Sequence, residues 1–503
     1  MSDLDLTPTT ALRMADLLAA QRAAFLAAPY PSAERRRGQL RALKRQLGRY
    51  QDHLTTALAQ DFGGRSADES MTVDLIPSVL AINHAIAHVA RWMRPSRRRT
   101  DWVFFGNRLR VHYQPKGVVG VVATWNFPIY LSLVPLAMAL AAGNRVLLKM
   151  PDITPATNAV LRRMLAEVFD ESEVALIGGE LQDPSAFTAL PFDHLIFTGS
   201  PAVGRAVMRQ AAEHLTPVTL ELGGKSPALV LRGYPMADAA LRIAHGKGTN
   251  GGQTCVAPDY ALVPREQVAE FAEQAKKSFR KLYGSEPAGN GDYTSVINDR
   301  HAARLAALLA DARAKGAHVT ACGPAGTGEP ARRLAPQIVT GGSADMALLR
   351  EEIFGPILPV AGYDRLDDAI AFIQSRPRPL ALYCFGNDAA ARQQVLERTH
   401  SGGVTINDWG WHVVNHAAPF GGIGNSGMGS YHGVEGFREL SHARTVFMRR
   451  RFYPVRLLYP PYDGLVQRIA RRLLLGRPDP TVGQVAPPQA GDAAALKDPA
   501  AAA

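Results

Sequence analysis

The sequence predicts an α/β protein built on two doubly wound parallel sheets with a small additional β element. Two observations carry that expectation. Between Val118 and His214 a short apolar run and a helical stretch alternate three times, the pattern of a parallel sheet covered by helices. The runs themselves, VVGVVA at 118–123, RVLLK at 145–149 and HLIFT at 194–198, lack the apolar–polar alternation of a half-exposed strand and suit strands buried on both faces. A second α/β pattern begins near Val218, with strands at Ala228–Leu231 and Leu380–Phe385 and helices around Ala237–Ala244 and Arg265–Leu282.

Taken in order, residues from about Thr10 to Arg94 read as helices. Leu40, Leu43, Leu47, Tyr50, Leu54 and Leu58 recur at three and four and give one apolar face. Trp102–Tyr113 has two β-rich runs around Gly106-Asn107 and predicts a hairpin, an edge that another subunit can use. The three strand–helix units follow, each ending its strand in a polar loop, where open α/β sheets bind ligands. Pro419–Tyr431 is too glycine-dense to be anything but loop. The expected organisation is a first domain over 1–220, a second over 221–407, a returning oligomerisation segment over 408–450, a basic tail over 451–477 and disorder over 478–503. Within the tail, Leu465, Ile469 and Leu473 lie four apart with Arg468, Arg471 and Arg472 opposite. Residues 463–475 thus form a basic amphipathic helix, which either packs on the protein's own body or lies on a membrane surface.

At 503 residues the chain exceeds one core and implies two to three domains. The formal charge of +11 is spread through the body apart from the tail, so a nucleic-acid partner is not expected. Three cysteines, none in a CxxC or Cys/His pattern, build neither a disulfide framework nor a metal site and point to a reducing cytosol. The opening MSDLDLTPTT lacks a signal-peptide pattern, and the apolar block Leu131–Gly143 is too short to span a bilayer.

Chemistry concentrates at a few loops. Cys255 follows Gly251-Gly252 and precedes Pro258, so a tight loop can present its thiol among backbone N–H groups that favour thiolate and make a nucleophile. The alternative is a small apolar filler. Glu221, between two leucines at a strand end, is desolvated and suits a general base, or else pairs with Lys225. Asn126 is an amide donor on a loop, an oxyanion ligand or a turn residue. Gly199, Ser200 and Gly204 open a helix after a strand and can cradle a phosphate; alone this is a weak signal and not the GxGxxG fingerprint. Lys149 and Asp152 can bind a ribose or stand as solvated loop charges. Glu352 and Phe354 fall at a further break, and Trp409, Trp411 and His412 are aromatic-entrance or core residues.

Together, WNFP (125–128), FTGS-x-x-VG (197–204), ELGGKSP (221–227), GQTCVAPDY (252–260), EEIFGP (351–356) and PFGGIGNSGMG (419–429) resemble the aldehyde dehydrogenase superfamily over nearly all of residues 10–450. APDY and NSGMGSYHG are similar to its class 3 branch, and within it to the bacterial members that oxidise coniferyl aldehyde. The resemblance implies oxidation of an aromatic or a medium- or long-chain aliphatic aldehyde to the acid. Cys255 is then the nucleophile, Asn126 and the Cys255 N–H hold the oxyanion, and Glu221 activates water. It implies that residues 1–220 bind NAD and 221–407 carry catalysis. Lys149 and Asp152 match the adenosine-ribose positions, Gly199, Ser200 and Gly204 the pyrophosphate loop, and Glu352 and Phe354 the nicotinamide-ribose clamp. Asp152 stands where the family has glutamate, which leaves NADP as the alternative cofactor. A homodimer is implied; so is a membrane anchor in some relatives, although this tail lacks the ~20 apolar residues of a span. Two rivals are a coenzyme A-acylating enzyme, against which Glu221 argues, and a non-catalytic binding protein, against which Cys255, Glu221 and Asn126 argue together.

Overall fold

The computed structural model describes residues 11–181, 183–324, 332–451, 454–462 and 464–483, which fall into two units. The larger, within 1–95 and 112–444, contains two sheets. The first has six strands in the order Gly427–Met428, Val218–Leu222, His194–Gly199, Val118–Val122, Arg145–Lys149, Val174–Ile177. All pairings are parallel except that of Gly427–Met428. From Val118–Val122 the chain winds outward to one side, then returns to place His194–Gly199 on the other. Neighbouring loops diverge at such a switch point and leave a crevice; here they carry Asn126 and Ser200.

The second sheet runs Ala317–Ala321, Gln337–Gly341, Ile357–Tyr363, Tyr260–Pro264, Pro227–Val230, Ala381–Phe385, Gly403–Ile406. Only Ala317–Ala321, at the edge, is antiparallel. Both sheets have strands buried along their whole length, such as Arg145–Lys149 and Ala381–Phe385, as their continuous apolar runs require. One boundary shifts from the sequence reading. Val218–Leu222 pairs with His194–Gly199 and closes the first sheet, so the second begins at Pro227 and the division falls in Gly223–Ser226, after Glu221. The apolar run at 218–222 does not by itself reveal which sheet it joins.

The N-terminal helices cover the first sheet. Ala33–Phe62 starts at a Ser32 cap and stops at Gly63 (φ 65°), a left-handed terminator. Ala67–Trp92 contains a π-turn at Met71–Leu75 and is long and apolar enough to cross a membrane by composition. Its Ala81, Ile82, Ala85 and Val89 lie instead in the protein core. The helix Tyr130–Ala142 is buried all round.

The second unit, residues 96–111 and 445–503, is centred on a sheet ordered Ser96–Arg98, Arg108–Pro115, Ser441–Met448. The expected hairpin over 102–113 is corrected. The paired strands are Ser96–Arg98 and Leu109–Val111, while Trp102–Phe104 forms one 3-10 turn that Gly106 (φ 86°) ends. Of its aromatic residues, Phe104 packs edge-on to Phe447, while Trp102 and Phe105 are exposed. The predicted amphipathic helix is present as Leu465–Leu475, and none of its residues is buried. Within its own unit Gln467 Nε2 donates to Tyr459 O at 3.0 Å and to Pro461 O at 3.2 Å. Of the stretch expected to be disordered, 478–483 includes a turn closed by Val482 N–H on Asp479 O, and 484–503 lie outside the described residues.

Candidate active site

The loop that carries Cys255 begins where the helix Met236–Gly248 ends. Asn250, Gly251 and Gly252 take successive left-handed conformations (φ 52°, 59° and 74°), open to glycine for want of a Cβ and tolerated by asparagine. At Gly252 a Cβ would overlap the Gly355 carbonyl, so glycine lets the thiol loop close on the 351–355 loop. Gln253 pins the far end: Nε2 donates to Ser295 O at 3.0 Å and Oε1 accepts the Ile297 N–H at 2.9 Å. Cys255 is half-buried and forms part of the wall of two cavities. The expectation of a thiolate is corrected. Burial pushes the thiol up to about 12, helped by the nearby Glu352 and Glu221 carboxyls and only partly opposed by the backbone N–H groups of Cys255 and Val256.

Glu221 is buried at the end of Val218–Leu222, in register with Gly427. Neither carboxylate oxygen has a hydrogen-bond partner, and desolvation holds its pKa well above the ordinary value. Lys225 is not its partner. That ammonium bonds Asp259 and the carbonyls of Leu348 (2.7 Å) and Glu351 (2.9 Å), so the ion-pair reading falls. Asn126, also buried, gives one amide hydrogen to Gln253 O at 3.1 Å and keeps the other. Its backbone carbonyl accepts from Arg65 Nη1 (3.1 Å) and Asn250 Nδ2 (3.0 Å), which fixes the residue beside the thiol loop, while its side-chain oxygen has no partner.

One cavity gathers Asn126, Gly199, Ser200, Glu221, Cys255, Glu352 and Phe354 in its wall. Ser200 caps the helix Pro201–Ala212, accepting the Val203 N–H at 3.4 Å, and leaves that N-terminus facing the cleft. The Glu352 carboxylate sits where a Cβ on Gly223 would be. Burial and neighbouring Asp259 push it up to about 8, and Oε1 has no partner. Phe354 has φ 50°, a strained value for a bulky residue. The strain is held by Arg304 on the carbonyls of Glu352 (3.2 Å) and Ile353, and by Asp259 on the Ile353 N–H (3.1 Å). The Phe354 ring meets Trp125 edge-on at 5.4 Å.

Two sequence-predicted groups stand apart from that wall. Lys149 and Asp152 form an ion pair at 2.7 Å at the end of the neighbouring strand Arg145–Lys149. Gly204 is corrected as a phosphate contact: it is buried, and a Cβ there would come within 2.7 Å of Leu222. Its lack of a side chain brings the helix onto the sheet. The orphaned Glu352 oxygen, the open helix N-terminus at Ser200 and the Lys149–Asp152 pair along the carboxyl edge of one sheet fit an extended dinucleotide.

The second cavity shares Cys255 and is walled by Phe127, Tyr130, Trp409, Trp411, Val413 and Phe420. Trp409 and Trp411 are in this wall. His412 belongs to the packing, bonded to Thr405 Oγ1 at 2.7 Å and stacked over Gly403. Sequence reasoning missed Thr198, His301, Arg304 and Tyr431 in the first cavity. Thr198 lies in the FTGS motif, beside Glu221 in strand register, and Tyr431 in NSGMGSYHG; His301 and Arg304 come from a segment with no motif of its own.

A buried thiol between a polar dinucleotide cleft and an apolar cavity, with an unpaired carboxyl at the junction, defines a cysteine-dependent oxidoreductase. The family model for the aldehyde dehydrogenase family matches residues 7–446. A protein of Pseudomonas aeruginosa named "Probable coniferyl aldehyde dehydrogenase" is 50% identical over 459 residues, covering 91% of this chain and 96% of that one. The solved substrate-bound state of Staphylococcus aureus AldH is similar with a TM-score of 0.86 and 34% identity, covering 92% and 99% of the two chains. A Mycobacterium tuberculosis aldehyde dehydrogenase complexed with NAD+ gives a TM-score of 0.80 at 29% identity, covering 88% and 92%. The chain belongs to the aldehyde dehydrogenase family. It is an NAD(P)-dependent oxidoreductase acting on aldehydes.

Proposed function

We propose that this enzyme oxidises aromatic aldehydes of the coniferyl type to carboxylic acids, with Cys255 as nucleophile, Glu221 as base and Asn126 as oxyanion ligand. The Cys255 thiol releases its proton to water as it attacks, and Glu221, whose burial gives it the proton affinity of a base, serves the later hydrolysis. Cys255 Sγ then bonds to the aldehyde carbon, and the carbonyl oxygen becomes an oxyanion facing the Asn126 Nδ2–H and the Cys255 backbone N–H. NAD(P), when bound, supplies the hydride acceptor. Loss of hydride from the tetrahedral carbon leaves a thioester on Cys255. The Glu221 carboxylate next removes a proton from water, the hydroxide adds to the thioester carbon and expels sulfur as thiolate, and Glu221 returns its proton so that the acid departs with the thiol restored.

The observation that carries this reading is the Glu221 carboxyl, buried beside the thiol with neither oxygen engaged. A coenzyme A-acylating enzyme has no need of such a base. Product analysis tests the choice: free acid is expected, and acyl-CoA in the presence of coenzyme A contradicts it. The aromatic second cavity and the name of the Pseudomonas aeruginosa relative support the substrate class. In this reading the six-stranded sheet carries the cofactor: Lys149 and Asp152 receive the adenosine ribose, Gly199 and Ser200 the pyrophosphate, and Glu352 and Phe354 the nicotinamide ribose. NAD is the preferred cofactor, with NADP accepted, and parallel kinetics with both decide the order. The small sheet of the second unit pairs two copies into a homodimer, which sedimentation measures. The exposed helix Leu465–Leu475, apolar on one side and carrying Arg468, Arg471 and Arg472, rests on anionic membrane surfaces. Deleting residues 463–503 then lowers pelleting with anionic liposomes, and equal pelleting refutes the contact.

A further inference from the structure

The second cavity is almost wholly apolar, and several of its polar groups are already engaged, whereas Thr254 Oγ1 is buried without a partner. Thr249 Oγ1 donates to His245 O at 2.8 Å. The Tyr130 hydroxyl lies 3.4 Å from both Val413 O and His432 Nε2. The imidazole of His245 is different. It lines the cavity yet belongs to an exposed residue, whereas Cys255 in the same wall is half-buried.

The protonation of that ring is set by its neighbour. Trp409 Nε1 donates to His245 Nδ1 at 2.8 Å, and an indole nitrogen can only donate. His245 Nδ1 is therefore the acceptor and the neutral ring carries its proton on Nε2. The indole is held in turn. Asp408 accepts the Trp409 backbone N–H at 2.9 Å, the Trp411 Nε1–H at 2.7 Å and a hydrogen from Arg242 Nη1 at 2.8 Å. Gly246 lets the Trp409 ring lie on the backbone, since a Cβ there would come within 2.6 Å of it. Two fixed indoles and one oriented N–H donor suit a flat ring with a polar atom at its far end.

We propose that His245 is the specificity-determining contact for a ring hydroxyl, its Nε2–H donating to the phenolic oxygen of 4-hydroxyaryl aldehydes whose aldehyde carbon meets Cys255. This rests on the reading of the second cavity as the aldehyde site. The preference for a 4-hydroxyl comes from this donor, while the indoles supply the affinity that hydroxylated and plain aromatic aldehydes share.

The test measures kcat/KM for 4-hydroxycinnamaldehyde and cinnamaldehyde with wild type, His245→Phe and His245→Gln at saturating NAD. Loss of one hydrogen bond in a partly wet site is expected to shrink the preference for the hydroxylated substrate about fivefold to tenfold in His245→Phe. Cinnamaldehyde should change by less than about twofold, since it makes no such bond. His245→Gln, which keeps an N–H donor, should recover part of the preference. An unchanged preference in His245→Phe overturns the proposal, and so does a Gln variant no better than Phe. Wild-type turnover of cinnamaldehyde reports separately on the aldehyde site itself, so failure of the underlying reading is distinct.

Discussion

The two cavities that meet at Cys255 are opposites. On the cofactor side, Glu221, Glu352 and Asn126 bring buried oxygens that have no hydrogen-bond partner. On the other side the wall is aromatic and aliphatic, and polar groups such as Thr249 and Tyr130 are bonded within the protein. Burying a carboxyl unpaired costs stability, so the first wall is poised for groups that arrive later: cofactor, oxyanion and water. The second wall offers shape and apolar area. In the proposed mechanism, chemistry belongs to the first cavity and choice of substrate to the second.

That division can be broken by substitution. Cys255→Ala removes the nucleophile and should lower steady-state cofactor reduction by at least about 10^4-fold; normal turnover would end the mechanism. Glu221→Gln should slow turnover about 10^2- to 10^4-fold. In wild type, kcat should rise with pH, because the carboxyl must lose its proton to act and burial raises its pKa. The variant should lack that rise. Asn126→Ala should cost about 10^2- to 10^3-fold in kcat, the loss of one oxyanion donor. On the apolar side Trp411→Ala should raise KM about tenfold with kcat nearly unchanged, as uniform binding does. A matching drop in kcat there would erase the contrast between the walls.

A smaller test concerns stability. The Glu352 carboxyl is pushed up to about 8 from 4.5. Between those values the unfolded chain has released the proton and the folded chain retains it, so stability falls as pH rises. Glu352→Gln removes that slope. Its melting temperature should exceed that of wild type by more near about pH 8 than near about pH 5. An equal offset at both would assign the effect to packing.

Much of this was legible in the sequence, unevenly. Buried central strands announce themselves as apolar runs, and the first sheet's Val118–Val122, Arg145–Lys149 and His194–Gly199 follow those runs closely. Val174–Ile177 was not seen, because four residues between loops carry no periodicity. Trp102–Phe104 imitated a strand, since aromatic residues favour β structure in isolation, whereas the observed pairing uses the arginine-rich Ser96–Arg98. At the site, loop glycines and motif residues located Cys255, Glu221, Asn126, Glu352 and Phe354. Sequence chemistry misjudged the thiol, because its burial, which chiefly raises its pKa, and the two carboxyls that add to it come from distant segments. Arg304 escaped notice for the same reason: its work is to hold the carbonyls of Glu352 and Ile353, and no local spacing records it.

The most direct test of the account traps the bond it places on Cys255. Glu221→Gln is mixed with NAD and an aromatic aldehyde, the burst of reduced cofactor is followed, and the quenched protein is digested for mass spectrometry. The account predicts a burst near one equivalent per active site and an acyl group on the peptide containing Cys255, with Cys322 and Cys384 unmodified. A burst without an adduct at Cys255, or an adduct on either other cysteine, would contradict it.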